Sequence, residues 1–415
     1  MLGTQGLCKT GAGQLNIDQK LLSNATGSNT YSGGTYIMAG TLMFGTFNNN
    51  NISGLIGPGT VYLGDSSGSA NVVLQSQYGS YSLTNKIILQ SGNTGVMQIN
   101  NNGGWLTLSD TITLGKANSS GKGLSLGRVS TGGLSINGVI QDPIGMTPGT
   151  AGTVTIASPG YVTFNAANTY SGATVIDAGG TWYANGANNG GLPAGTALTV
   201  NGTLDMVDRM ITVGALAGTG IVDRTYGGGS ARTLTVGSKN TSTLFSGVIK
   251  NSQPSYPVSL IKIGSGVLTL SGTNTYTGAT TVSNGILAVS GALSSSGVTV
   301  CTGAVFAAGS TGVVGRATLG GTLTFQNSSA LLVDVASPLA DAVEAAGNVV
   351  IGTGVEVRLS GNQEKSGSWE IIKTTGGTVS GDPVLINGLH GARLSRTATA
   401  IWLTIPPKGT LIRIF

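Results

Sequence analysis

Residues 260–289 read LIKIGSGVLTLSGTNTYTGATTVSNGILAV, and this stretch decides the fold. It contains short runs that alternate apolar and polar residues, such as GVLTL and GILAV, separated by Gly, Ser, Asn and Thr. Alternation with a period of two predicts half-buried β-strands, and the small polar residues predict the turns between them. The stretch therefore reads as short strands joined by tight turns.

The centre of this stretch, Asn-Thr-Tyr-(Ser/Thr)-Gly, occurs three times in the chain. Internal repetition of a strand-and-turn unit is typical of a solenoid, in which each coil packs only on its neighbours. The repeat therefore turns attention from a catalytic pocket to the walls and ends of a coil stack. The candidate motif residues are Asn29, Thr30, Tyr31, Gly33, Asn168, Thr169, Tyr170, Gly172, Asn274, Thr275, Tyr276 and Gly278.

Strand signals of the same kind continue through almost the whole sequence. Gly and Asn tolerate the left-handed backbone that corners require, and Leu, Val and Ile at alternate positions suit an interior that stacks from coil to coil. We therefore predict an all-β fold, a parallel β-helix with about 20 residues per coil. The single weak helix candidate is Pro338–Ala346, with the sequence PLADAVEAA.

The composition limits the classes of function. Charged residues make up 8% of the 415 residues, against about 25% in typical globular domains. Such a surface of Ser, Thr, Asn and Gly is usual for secreted β-proteins. The net charge is +5, but the Lys and Arg are scattered and aromatic residues are only 5%. A nucleic-acid interface needs clustered cations and stacking platforms, so we expect no nucleic-acid partner.

The last hundred residues differ from the rest. From Gly320 the repeat phrase is absent, charged residues become more frequent, and Trp369 and Trp402 occur. Terminal units of repeat proteins are atypical because they cover the last coil. We therefore predict a solenoid over residues 1–317 and a C-terminal β cap with an extended tail over residues 318–415. The start, GLCKTGAGQLNI, parallels LIKIGSGVLTL, so we expect the chain to begin inside a repeat.

The unit L-x-K-x-G-x-G-x-L-x-L-x-G-x-N-T-Y-[ST]-G-x-T-x-V-x-x-G-x-L resembles the autotransporter-associated β-strand repeat of bacterial surface proteins. Residues 260–287 match it nearly throughout, and residues 168–182 and 29–42 match its second half. The resemblance implies a right-handed parallel β-helix at the cell surface or outside the cell. It does not fix an activity, since the family includes adhesins and matrix components. The sequence departs from the family in being basic and in ending at PPKGTLIRIF, where family members usually continue into an outer-membrane barrel.

Catalytic residues are sparse in the sequence. The one histidine, His390, lies in the loop GLHGARL, and a lone His has no obvious triad partners. The nearest acidic candidates for cleavage of a polysaccharide are Asp205 and Asp208 beside Arg209, followed by Asp223 and Arg224. Ion pairs stacked at coil corners explain these residues equally well. We therefore expect no enzyme activity.

Metal and cofactor sites are also not expected. Asp334, Asp341 and Glu344 would suit a calcium ion, but they lie in none of the known calcium-loop patterns, and a solvated acidic loop is the preferred interpretation. Cys8 and Cys301 are far apart and show no metal-binding spacing, so we interpret them as small strand residues without a disulfide.

The repeated tyrosines, Tyr31, Tyr170 and Tyr276, allow two interpretations. An exposed ring would offer a platform for a carbohydrate. A buried ring would pack on the neighbouring coil and bond its hydroxyl locally. We favour packing.

These observations predict a non-catalytic extracellular structural or adhesive protein that self-assembles head to tail into a filament, sheath or layer. A monomeric passenger adhesin and a polysaccharide-active β-helix enzyme are the alternatives. Expected partners are further copies of the chain, and a surface glycan or host cell. No run of 18 apolar residues is present, so we expect no transmembrane helix.

Assembly would use the tail that follows Pro406 and Pro407. Its apolar residues would add as a strand to the free edge of the next copy, the known strand-addition mode. The alternative is a tail folded back on its own cap. The candidate assembly residues are Leu411, Ile412, Ile414 and Phe415.

Overall fold

The structure is a computed structural model that describes residues 4–18, 29, 31–45, 56–157, 159–310, 312–336, 338–362, 366–386 and 391–407. These residues form β-strands throughout, with one short 3₁₀ segment at Asn188–Gly191 and no α-helix among them. The chain divides into two compact units, Met1–Met210 (unit 1) and Ile211–Phe415 (unit 2). Each is built of stacked parallel strands, which confirms the predicted all-β solenoid.

Unit 1 has three faces, each a parallel sheet. The first contains β1 (Leu7–Lys9), β3 (Thr35–Ile37), β5 (Val61–Leu63), β8 (Ile87–Leu89), β11 (Ile112–Thr113) and β14 (Ile140–Gln141). The second contains β2 (Gln14–Asp18), β4 (Gly40–Gly45), β6 (Val72–Ser76), β9 (Met97–Asn101), β12 (Leu124–Arg128), β15 (Val154–Ile156), β17 (Thr174–Ile176) and β19 (Ala197–Val200). The third contains β7 (Tyr81–Leu83), β10 (Trp105–Leu108), β13 (Gly133–Ile136), β16 (Gly160–Phe164), β18 (Gly180–Tyr183) and β20 (Thr203–Asp205).

Unit 2 is built in the same way. Its first sheet contains β21 (Ile211–Val213), β24 (Arg232–Val236), β27 (Val258–Lys262), β30 (Thr280–Val282), β33 (Gly297–Val300), β36 (Thr322–Phe325), β40 (Val349–Ile351) and β43 (Val379–Ser380). Its second contains β25 (Thr243–Phe245), β28 (Val267–Leu270), β31 (Ile286–Val289), β34 (Val305–Ala308), β37 (Ala330–Ala336), β41 (Glu356–Asn362) and β44 (Val384–Ile386), with β38 (Leu339–Ala340) beside β37. Its third contains β29 (Thr273–Asn274), β32 (Ala292–Leu293), β35 (Arg316–Leu319), β39 (Ala342–Ala345), β42 (Gly367–Thr374), β46 (Ala400–Ile405) and β45 (Arg393–Arg396). The remaining strands are β22 (Ala215–Ala217), β23 (Ile221–Asp223) and β26 (Val248–Ile249).

The interior of each unit consists of apolar columns. Leu268 pairs with Leu287, which pairs with Phe306, which pairs with Leu331, and all four side chains are buried. Parallel, in-register pairing brings like residues of successive coils together, and burial of a Leu or Phe side chain contributes about 1.5–3 kcal/mol. The alternation of the strand signals correctly identified these inward positions.

Coil length differs from the prediction. Leu260 pairs with Thr280, one coil of 20 residues, but Leu323 pairs with Val349, a coil of 26 residues. The predicted 20 residues hold for the coil that carries the repeat phrase, which has short turns. Other coils insert longer turns between the same strands, and turn length leaves no periodic signal in the sequence.

The weak helix prediction over Pro338–Ala346 is wrong. These residues form β38 and β39, and Val343 and Ala345 are buried against Ala317 and Leu319 of β35. Ala and Glu favour a helix in isolation, but intrinsic propensity is a weak determinant when a neighbouring coil offers a parallel edge and an apolar column.

Parallel stacking continues past residue 317, since β33 pairs with β36 and β34 pairs with β37. Among the described strands, antiparallel pairing occurs where β38 folds back on β37 and where β46 lies between β42 and β45. The division at residue 317 stays a prediction, as does the right-handed coil. In the described residues no helix is long and apolar enough to cross a membrane.

Candidate functional sites

The motif tyrosines lie inside the coils. Tyr31, Tyr170 and Tyr276 are buried, and each phenolic oxygen is hydrogen-bonded to the hydroxyl of the threonine four residues later. The oxygen–oxygen distances to Thr35, Thr174 and Thr280 are 2.6, 2.7 and 2.6 Å, respectively. Burial raises the pKa of all three phenols, and the threonine hydroxyl opposes the shift. These tyrosines pack internally and offer no exposed platform.

The motif asparagines join neighbouring coils. Asn274 Oδ1 accepts the backbone N–H of Ile249 at 2.9 Å, and Asn168 Oδ1 accepts that of Ile140 at 2.7 Å. The next motif residues, Thr275 and Thr169, donate their backbone N–H groups to the carbonyls of Ile249 and Ile140. Each Asn-Thr dipeptide therefore satisfies both backbone polar groups of one isoleucine in the preceding coil. Asn29 is half-buried, and Thr30 lies outside the described residues.

The motif glycines mark close approaches between coils. A Cβ atom on Gly33, Gly172 or Gly278 would collide with the backbone of Gly6, Gly152 or Val258, respectively. These contacts are with rigid backbone atoms, so no side-chain rotation relieves them. The phrase Asn-Thr-Tyr-(Ser/Thr)-Gly is therefore a device for packing one coil on the next.

Two lysines missed as site residues share one arrangement. The ammonium of Lys262 donates to the carbonyls of Ile263, Gly264 and Asn284, at 2.7, 2.8 and 3.2 Å. Lys9 donates to three carbonyls in the same way. Burial lowers the pKa of Lys262 to about 8. The parallel between GLCKTGAG and LIKIGSG was the signal that could have identified both, because it aligns these two lysines.

The acidic candidates of unit 1 are engaged within the fold. Asp205 is buried, and its Oδ1 accepts the backbone N–H of Val207 at 2.9 Å. Arg209 donates to the carbonyl of Asn185 at 3.1 Å. Asp208 also has an interaction partner. The arrangement shapes the turn after β20 and presents no paired, accessible carboxylates.

The acidic candidate of unit 2 is saturated with hydrogen-bond donors. Asp223 accepts the backbone N–H groups of Arg224 and Ser252 at 2.7 and 2.8 Å, and the Ser252 hydroxyl at 2.6 Å. Lys250 Nζ lies 3.3 Å from its Oδ2. Such a carboxylate is stabilised as an ion and has little freedom to transfer a proton.

The buried Arg224 ties down the turn that follows it. Its guanidinium donates to the carbonyls of Gly228, Ser230 and Pro257 and lies 5.4 Å from the centre of the Tyr256 ring. Planar, multidentate contacts of this kind are typical of structural arginines.

The predicted calcium ligands do not converge. Asp334 and Asp341 are buried together, and Asp341 accepts the backbone N–H groups of Gly315 and Asp334 at 2.7 and 2.9 Å. Glu344 instead forms an ion pair with Arg316 at the surface. Burial raises the pKa of Asp341 to about 7, the two N–H groups oppose the shift, and the Asp334 charge adds to it. Within the described chain no cluster of three or more His, Cys, Asp or Glu could hold a metal ion.

The remaining candidates contribute no chemistry on the described residues. Cys8 and Cys301 are free thiols, as expected. Cys8 is exposed in β1, and Cys301 directly follows β33. His390 and the assembly residues Leu411, Ile412, Ile414 and Phe415 lie outside the described residues.

An outer aromatic strip, formed by Trp105, Tyr161 and Tyr183, lies on the third sheet of unit 1. The rings of Tyr161 and Tyr183 stack with centroids 4.2 Å apart and an interplanar angle of 23°. The Trp105 ring meets Tyr161 edge-on at 5.5 Å and 89°, across Gly133 of the intervening strand. A Cβ on Gly133 would lie 2.8 Å from Tyr161 Cδ1 and 3.1 Å from Trp105 Cζ3, so only glycine lets these two rings meet.

A row of hydroxyl groups borders the strip. Thr107, Ser135 and Thr163 lie in register on β10, β13 and β16, one strand position pair away from the aromatic rings. Asn165 donates to the Ser135 hydroxyl at 2.8 Å and to Asn137 Oδ1 at 2.7 Å. The sequence analysis missed this site because residues 105, 161 and 183 are unevenly spaced, and only the register brings them together.

A family model, the passenger-associated-transport-repeat, matches residues 7–43, 151–181 and 260–289. These segments contain the three copies of the motif phrase, and the second extends the resemblance to the strands before Asn168. A search of curated proteins found no match to the chain. Both solenoid units therefore contain the passenger-associated-transport-repeat, and the repeat and the fold fit an autotransporter passenger-like protein that is secreted or located at the cell surface.

Proposed function

We propose that this chain is an extracellular structural or adhesive surface protein that acts through the outer faces of its coils and has no catalytic role. The observation that supports this most strongly is the internal use of the repeat. Its Tyr, Asn and Gly residues all contact the same or the preceding coil. Its chemistry is spent on stacking coils, which leaves the outer faces as the working surface.

The outer faces suit an exposed protein. The chain has 8% charged residues, and the outward positions of its strands are largely Thr, Ser and Asn. Neutral hydroxyl and amide groups remain solvated without long-range charge fields. The acidic residues that would serve glycoside cleavage are buried or saturated, as at Asp205 and Asp223. Hydrolysis needs two accessible carboxyl groups with divergent pKa values.

Labelling of intact cells tests the location. The source cells are treated with an impermeant amine-reactive label, and the chain is recovered by mass spectrometry. We expect lysines of the chain to be labelled in intact cells as strongly as in lysed cells, with a cytosolic protein as the unlabelled control. Labelling that occurs only after lysis would refute the proposal.

Head-to-tail assembly is a second proposal. In the described chain, β1 pairs on one side, with β3, and its other edge has no partner strand. Such an edge can accept a strand from another copy, and contacts of this kind do not close. The test is sedimentation of the intact chain and of a variant lacking residues 406–415. We expect large assemblies from the intact chain alone. Assembly of both forms, or of neither, would refute a role of the tail.

A further inference from the structure

We propose that the outer aromatic strip of unit 1 binds a linear acidic polysaccharide. The proposal rests on the extracellular role proposed above, and it names the ligand class and the face that recognises it. Sugars are bound in water chiefly by packing their C–H faces on aromatic rings and by hydrogen bonds to their hydroxyl groups. The strip and the hydroxyl row beside it supply both kinds of contact on one sheet.

Trp105 is the contact residue of the strip. It is 40% exposed although it is one of the largest apolar side chains. Its perpendicular contact with Tyr161 covers at most one face of the indole. No described residue accepts a hydrogen bond from the indole N–H. An exposed ring with a free donor at its edge is suited to a polar ligand that also has an apolar face.

The dimensions favour a chain over a single sugar. The strip extends over four successive strands, β10, β13, β16 and β18, which at about 4.8 Å per strand is about 14 Å. A pyranose unit of a linear polysaccharide is about as long as one strand spacing. The hydroxyls of Thr107, Ser135 and Thr163 repeat at the same interval. Two or three consecutive sugar units would therefore meet equivalent partners.

The charge beside the strip favours an acidic ligand. Arg128, at the end of β12, precedes the turn that leads to Gly133, and its Nη1 donates to the carbonyl of Gly132 at 3.0 Å. None of the described Asp and Glu residues forms an ion pair with it. Its charge lowers the pKa of Tyr161, which burial raises to about 12, so the guanidinium acts directly on the strip. Asp205 also acts on Tyr161, but that carboxylate is buried.

An unpaired guanidinium next to aromatic rings is suited to a uronate carboxylate, which it can bind through two parallel hydrogen bonds. A neutral glycan would use the rings and leave this charge without a partner. The aromatic rings and the charge together therefore specify a polymer that contains uronic acids.

The test is a titration of the full chain with oligosaccharides of polygalacturonate, alginate and hyaluronan, and with a neutral β-glucan oligosaccharide. Binding is followed by calorimetry and by tryptophan fluorescence. We expect at least one acidic oligosaccharide to bind and the neutral one to bind at least about tenfold more weakly, which corresponds to about 1.4 kcal/mol. Added salt should weaken the binding, because a charge pair contributes to it.

Three variants locate the site. Trp105→Ala should weaken binding at least about tenfold and remove the fluorescence change. Arg128→Gln should abolish the preference for the acidic oligosaccharide and the salt dependence. Tyr36→Ala is the matched control, because Tyr36 is also 40% exposed and stacks on Tyr62 with centroids 4.6 Å apart, on another sheet of the same unit. It should bind like the unaltered chain. Circular dichroism verifies that each variant is folded.

Four results would overturn the proposal. They are no binding of any acidic oligosaccharide, equal binding of the neutral one, unchanged affinity of folded Trp105→Ala, and Trp105-dependent binding to anionic lipid vesicles instead of saccharide. A chain that is labelled on intact cells but fails here refutes this inference alone. A chain that is labelled only after lysis refutes the extracellular function itself.

Discussion

The phenolic oxygen of Tyr276 lies 2.6 Å from the hydroxyl oxygen of Thr280 inside the coil, and the same pair recurs at Tyr170 and Tyr31. A spacing of four residues places the tyrosine at a corner and the threonine at the start of the following strand. Each pair satisfies two buried polar groups with each other. The most recognisable phrase of the sequence therefore serves coil closure.

Loss of one such bond should be measurable. Tyr276→Phe keeps the ring but leaves the Thr280 hydroxyl without this partner, so we expect the free energy of unfolding to fall by about 1 kcal/mol. Urea denaturation followed by circular dichroism measures it. Tyr226→Phe is the control, because Tyr226 is 70% exposed and should change stability very little. Equal effects of the two variants would contradict an internal role for Tyr276.

The motif glycines should resist any substitution. Gly172→Ala places a methyl group against the carbonyl of Gly152 in the preceding coil, which forces the two coils apart. We expect a loss of about 3 kcal/mol or more, in the range of strained core substitutions. Gly195→Ala, in the same unit with open space around its Cβ, should be neutral or stabilise by about 0.4–1 kcal/mol. The thermal midpoints of the two variants would be compared, and an unaltered midpoint for Gly172→Ala would show that the coils are not packed this closely.

Stability should depend on pH through Asp341. Its pKa is about 7 in the folded chain and 3.8 as the ordinary value, so between these values the folded state binds more protons than the unfolded state. The contribution of Asp341 therefore destabilises the fold progressively as pH rises from about 4 to about 7. Denaturation of the chain and of Asp341→Asn at several pH values isolates this effect. The difference in unfolding free energy between the two should change across the window, and a constant difference would contradict the raised pKa.

The acidic candidates should have no catalytic effect. Asp205→Ala, Asp208→Ala and His390→Ala are each expected to leave binding and surface properties unchanged, apart from a loss of stability where a buried bond is broken, as at Asp205. The assay incubates each variant with acidic and neutral polysaccharides and measures the release of reducing ends. Release by the unaltered chain that one of these folded variants lacks would identify an enzyme.

The sequence predicted those parts of the structure that leave a local pattern. Alternating runs such as GVLTL became strands with buried leucines, and the repeat phrase became the coil corner. The aromatic strip left no such pattern, because the register alone sets Trp105 beside Gly133 and Tyr161. The strand at Val343 and Ala345 was also hidden, since its residues favour helix until a neighbouring coil supplies an edge.

The central claim is that the repeat phrase faces inward while the outer walls are the working surface. Hydroxyl-radical footprinting with mass spectrometry tests it most directly, because it reports the accessibility of each aromatic side chain in the folded chain. We predict rapid oxidation of Tyr78, Tyr226 and Trp105, and protection of Tyr170, Tyr276 and Trp182 until the chain is unfolded. Oxidation of Tyr170 and Tyr276 in the folded chain as fast as that of Tyr78 would contradict the account.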